Sequence, residues 1–146
     1  MKLIAHRGLL EGPDKSKENR PDQIVAAWTT GYDCEIDLWV QHNELWLGHD
    51  GPQYRVLENF LSMGPSWIHA KNLEALRYLV TTEFNYFWHQ EDYYTLTSKG
   101  YIWTYPGHEL TDLSIMVLPE LIDPSLQNTK DVNCFGICSD FVLAIT

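Results

Sequence analysis

At 146 residues and 45% apolar content, the chain fits a single domain spanning 1–146 around one core and is too apolar for a disordered polymer. Its net charge of -10, from 20 acidic against 10 basic residues, gives no electrostatic footprint for DNA or RNA and excludes a nucleic-acid binder. No segment reaches the roughly 18 apolar residues of a membrane helix, and the apolar run at the start is too short for a signal peptide. Three cysteines give no disulfide framework, so the expectation is a soluble cytoplasmic protein with reduced thiols. Cys134 and Cys138 have a metal-compatible spacing, but no second cysteine or histidine pair accompanies them.

Lys2 to His6 is a short apolar run that reads as a buried strand with His6 at its end. A polar loop leads to Pro21, after which Ile24, Val25, Ala27 and Trp28 form a helical stripe that Gly31 stops as a C-cap. Asp33 to Gln41 alternates Cys34, Ile36 and Leu38 against Glu35, Asp37 and Trp39, the period of a strand with two unlike faces. A His42-Asn43 turn joins it to a strand over Glu44 to Gly48, which delivers His49 to a loop.

Tyr54 to Met63 reads as weakly helical, and Gly64-Pro65-Ser66 breaks it before a strand at Trp67 to Ala70. Asn72 then caps a helix whose Leu73, Leu76, Leu79 and Val80 line one face. Further strands are predicted at Phe84 to Trp88, Tyr101 to Thr104, Ser114 to Leu118 and Gly136 to Ser139, with a polar segment before Gly100. Strands alternating with helices predict an α/β fold of parallel units, a compact and abbreviated TIM-type β/α barrel. A full barrel takes about 250 residues, so helices must be lost or shortened to loops here.

Four stretches stand out together: Ile4-Ala5-His6-Arg7-Gly8, Glu18-Asn19, Glu35-Ile36-Asp37 and Gly48-His49-Asp50-Gly51. In that order, with a helix before the carboxylate strand, they resemble the N-terminal signature of the glycerophosphodiester phosphodiesterase family, within the phospholipase C-like phosphodiesterases. Ile68-His69-Ala70-Lys71 is similar to the family's third strand, where His69 replaces a metal-binding glutamate. Ile102-Trp103-Thr104-Tyr105 is similar to a late strand of the family, and Gly136-Ile137-Cys138-Ser139-Asp140 to its closing one.

The chemistry agrees with the resemblance. Phosphodiester hydrolysis needs a base, an acid and positive charge on the phosphoryl oxygens. His6 and His49 can divide the proton transfers. Glu35 and Asp37, two apart on one strand face, suit a hard divalent cation such as Mg2+ or Ca2+. Arg7 and Lys71 can clamp the phosphate. The resemblance adds Glu18 as a residue reaching the metal, Asn19 as a support for the first loop and Trp103 as a substrate contact. It further implies that a neighbouring glycerol hydroxyl attacks first, giving a cyclic phosphate that water opens.

His69 either takes the metal in place of the family carboxylate or fills space. His89 ends another strand and has no family counterpart, Glu120 offers a further pocket acid, and His42 and His108 fall in turns. The expected function is therefore metal-dependent hydrolysis of a small glycerophosphodiester-like substrate. The alternative is a shortened relative that binds a phosphorylated metabolite without turning it over, for which His69 and the short chain speak. An apolar gap left by missing helices favours a homodimer.

Overall fold

The computed structural model describes residues 1–145. In chain order it contains β1 (Lys2–His6), α1 (Pro21–Thr30), β2 (Asp33–Gln41), β3 (Glu44–Leu47), β4 (Tyr54–Val56), α2 (Glu58–Leu61), β5 (Ser66–Ala70) and α3 (Leu73–Leu79). Then follow β6 (Asn85–Phe87), β7 (Tyr94–Leu96), β8 (Ile102–Thr104), β9 (Ser114–Val117) and β10 (Gly136–Ser139), with three short 3-10 turns in the last third.

All strands belong to one sheet. A parallel run β6-β5-β2-β1-β10-β9-β8 forms its body. The β3-β4 hairpin adds to β2, and β7 adds to β8, both antiparallel. This overturns the expected TIM-type β/α barrel: the sheet is mixed and open, because among the described residues β6 pairs only with β5 and β7 only with β8. Only α1 and α3 give a crossover between parallel neighbours a helix of more than four residues among those described. The stretch 105–113 from β8 to β9 falls below the roughly dozen residues that a helical crossover takes, so no outer ring of helices can form there.

The sheet instead curls into a half-barrel until the turn between β7 and β8 meets the free edge of β6. Ser98 donates its backbone N–H to the Tyr86 carbonyl at 2.8 Å, and the Tyr86 N–H donates to Ser98 Oγ at 2.9 Å. The Ser98 hydroxyl in turn donates to the Phe84 carbonyl at 3.0 Å. One residue, through its backbone N–H and its hydroxyl, and not a paired strand, fastens this seam.

Local punctuation behaves as its chemistry dictates. Gly31 closes α1 in the left-handed region at φ 105°, where its lack of a Cβ removes the strain. Asn72 accepts the Ala75 N–H at 3.0 Å as the α3 cap, and its amide exchanges bonds with both backbone groups of Val40, tying α3 to β2. Two segments differ from the expectation. Tyr54–Val56 is a strand, because its alternation pairs Tyr54 with Leu47 and Val56 with Leu45. The polar segment before Gly100 contains β7, held by its ladder to β8 rather than by any apolar pattern.

The two faces of the sheet bury different cores. Cys34, Ile36, Leu38 and Ile68 face outward onto Ile24 and Ala27 of α1 and Ala75 and Leu79 of α3, all buried. Ile4, Trp67, Phe87, Trp103, Ile115, Val117 and Cys138 fill the inside of the curl. Each large buried side chain contributes roughly 1.5–3 kcal/mol. Because side chains alternate along a strand, the residues two further on face the same interior: His6 after Ile4, His69 after Trp67, Asp140 after Cys138. The apolar floor thus places a polar layer above it. No helix is long and apolar enough to cross a membrane among the described residues.

A candidate metal and acid-base centre at the strand ends

The register of β1, β2 and β5 assembles the centre. His6 lies beside Glu35, and Asp37 beside His69, on adjacent parallel strands. Glu35 and Asp37 are only 2% and 1% exposed, a burial that two carboxylates accept only with compensating partners. Above them opens a pocket of about 360 Å³, lined also by Arg7, His49, Lys71 and Trp103. Surface grooves of 530 and 640 Å³ lie elsewhere, but they contain neither a histidine nor a buried carboxylate.

His6 is fixed by a residue that the sequence reading did not assign. Its Nδ1 lies 2.7 Å from Asp140 Oδ1, which holds that nitrogen as the N–H and leaves Nε2 facing the pocket, 3.8 Å from Glu35 Oε2. Burial disfavours a charged ring, but the Asp140 hydrogen bond and the Glu35 charge outweigh it and raise the His6 pKa above its ordinary value. The available signal for Asp140 was its position beyond the buried strand Gly136–Ser139, where Cys138 and residue 140 share a face.

His69 donates its Nε2–H to the His89 carbonyl at 2.9 Å, so in the neutral ring Nδ1 carries the lone pair. That lone pair stands 3.2 Å from Asp37 Oδ1 and 4.0 Å from Glu35 Oε1. Three acceptors facing one another require a proton or a cation between them. One ligand atom from each of Glu35, Asp37 and His69 lies within 4.8 Å of the others, so the donor set fits a divalent metal. The same ring stacks on Phe87 at 5.0 Å, so His69 also fills space.

The two carboxylates are electrostatically unlike. Burial, reinforced by the charge of Asp37, raises the Glu35 pKa. Burial acts the same way on Asp37 but is outweighed by His49, His69 and Arg7, which hold it well below the usual carboxylate range.

Arg7, with φ 53°, turns its guanidinium inward. Nη1 bonds Glu18 Oε2 at 3.0 Å and Nη2 bonds His49 Nε2 at 3.3 Å. Arg7 Nε and His49 Nδ1 each stand 3.5 Å from Asp37 Oδ2 without an aligned hydrogen bond, two buried N–H positions lacking a partner. Glu18 therefore pairs with Arg7 and stands outside the group of three. Asn19, fully buried, devotes its amide to Asp37 and supports the carboxylate rather than facing the pocket. Lys71 reaches the pocket wall and makes no side-chain ion pair among the described residues. Trp103, 5% exposed, stacks on Phe87 at 4.6 Å and walls the pocket. His89 is also there, its pKa lowered by burial and then by His69.

Comparison of the chain with protein families, with curated proteins and with solved structures finds no match.

Proposed function

We propose that the protein is a metal-dependent phosphodiester hydrolase acting on a glycerophosphodiester-like substrate, a short and divergent relative of the glycerophosphodiester phosphodiesterases. The observation that carries this reading is His6, anchored through Nδ1 by Asp140 at 2.7 Å and presenting Nε2 beside the Glu35, Asp37 and His69 group. An anchored imidazole with one free nitrogen is a proton acceptor of fixed aim.

In this reading His6 Nε2 takes the proton of the attacking hydroxyl, and His49 returns one to the leaving oxygen. Arg7 and Lys71 hold the phosphoryl oxygens. Substrate phosphate draws the Arg7 guanidinium from His49 Nε2 and frees that nitrogen for its proton. Glu35, Asp37 and His69 would hold Mg2+ or Ca2+, and the imidazole opens the set to Mn2+. Bound there, the cation supplies positive charge against the phosphoryl oxygens.

A second reading, a binding relative without turnover, draws support from Arg7, whose guanidinium is engaged by Glu18, Asp37 and His49. Hydrolysis of glycerophosphocholine and bis(p-nitrophenyl) phosphate with Mg2+, Ca2+, Mn2+ or EDTA separates the two. Metal-dependent turnover that falls on the order of a hundredfold or more in His6→Ala supports the hydrolase. A folded parent that binds glycerol phosphate but cleaves no diester supports the binder.

A cytoplasmic setting belongs to the same proposal, in keeping with the buried free thiols of Cys34 and Cys138. So does a homodimer, for which Tyr94 and Leu96 on the edge strand β7, 45% and 70% exposed, are the apolar surface. A monomer by light scattering would remove it.

A further inference from the structure

Glu120 does not line the pocket; it lies on the turn Pro119–Leu121 that follows β9. Leu118, at φ 45° and ψ 56°, bends the chain there through a left-handed conformation that a leucine rarely adopts. The bend is held by the Leu118 N–H donating to the Cys138 carbonyl at 2.7 Å. It lays the Glu120 carboxylate across the end of β10.

Both oxygens of that carboxylate are used on neighbouring residues. Oε1 accepts the backbone N–H of Asp140 at 2.9 Å, and Oε2 accepts the Ser139 hydroxyl at 2.9 Å. Ser139 Oγ accepts the Phe141 N–H at 2.9 Å, so the grip spans 139–141. The Asp140 carbonyl is held from the other side by the Gly12 N–H at 2.8 Å. A Cβ at Gly12 would meet the Phe141 ring at 2.9 Å, so only glycine brings that loop close enough.

We infer that Glu120 is a positioning residue: with Gly12 it clamps the Asp140 peptide fore and aft, and so aims the Asp140 carboxylate at His6 Nδ1. The clamp explains why a strained leucine precedes it and why a carboxylate expected in the pocket serves outside it. Its catalytic consequence rests on the base role proposed above for His6. The geometric part stands on the hydrogen bonds alone.

Two readouts on the full chain keep the parts separable. Long-range 1H–15N spectra of the imidazoles, taken where the His6 ring is neutral, report its tautomer without any substrate. The parent should show one Nδ1–H tautomer. Glu120→Ala should show a mixture, while Glu120→Gln, which keeps an oxygen for the Asp140 N–H, should restore the parent pattern. If Glu120→Ala does not fold, Ser139→Ala, which releases one Glu120 oxygen, takes its place and should broaden the tautomer population.

In hydrolysis assays Glu120→Ala should lower kcat about tenfold to a hundredfold, the cost of a misplaced catalytic group, with KM unchanged. A single Nδ1–H tautomer retained in folded Glu120→Ala overturns the inference. A tautomer mixture in a chain whose parent hydrolyses nothing retains the clamp and rejects the hydrolase instead.

Discussion

Asn19 and Asp37 exchange two hydrogen bonds beneath the centre: Asn19 Nδ2 donates to Asp37 Oδ2 at 2.8 Å, and the Asp37 N–H donates to Asn19 Oδ1 at 2.9 Å. Asn19 is fully buried and holds a left-handed φ of 60°, a conformation asparagine tolerates better than most residues. Replacing it by alanine strands a buried N–H and one oxygen of a buried carboxylate, each costing about 1–3 kcal/mol. Asn19→Ala should therefore lower Tm by several degrees and weaken cation affinity about tenfold to a hundredfold, read by thermal unfolding and calorimetry.

Asp140→Asn tests the anchor itself. The amide can still accept from His6 through its oxygen but no longer carries the charge that orients and supports the ring. Turnover of a diester should fall by about two to four orders of magnitude, with unfolding temperature nearly unchanged. Retained kcat in a folded variant would remove Asp140 from the chemistry.

Metal dependence has its own check at His69. Cations that bind the folded chain alone should raise its stability, by about 2.7 kcal/mol at a hundred times Kd. His69→Ala should abolish that gain and leave a gap against Phe87. His69→Glu supplies a harder ligand and should shift preference from Mn2+ toward Mg2+ and Ca2+ in competition calorimetry. Equal cation stabilisation of parent and His69→Ala would exclude His69 as a ligand.

Tyr78 gives a pH prediction far from the centre. Burial, then its 2.9 Å hydrogen bond to Glu58 Oε1, pushes its phenol up to about 12. The folded value exceeds the ordinary value of about 10, so the fold favours the neutral phenol. That contribution is fully present below about pH 10 and is lost as pH rises toward the folded value. Tyr78→Phe should lack this alkaline loss, and the absorbance titration of the parent should contain one late tyrosine that the variant lacks.

The site was more legible in the sequence than the architecture around it. A strand with two unlike faces states its carboxylates openly, and β2 places Glu35 and Asp37 on one side and Cys34 and Ile36 on the other. The ends of β1 and β5 followed from short apolar runs that stop at His6 and just past His69. Alternation of strands and helices does not say whether a sheet closes, because that depends on which edges find partners. The β7 strand carries exposed Tyr94 and Leu96, so no buried stripe announced it. Asp140 and Glu120 meet across 20 positions of chain, and such a pairing exists only once β9 and β10 lie side by side.

The Ser98 fastening gives the molecule a weak flank and a strong one. Its three hydrogen bonds are each worth about 1 kcal/mol net, against the continuous ladder that carries β10, β1, β2 and β5. Thermal breathing should then start where β6 meets the 97–100 turn, well before the histidine and carboxylate strands part. The cavity would widen from the side of Trp103, which stacks on Phe87 of β6, so a bulky ligand would enter there while the charged groups keep their spacing.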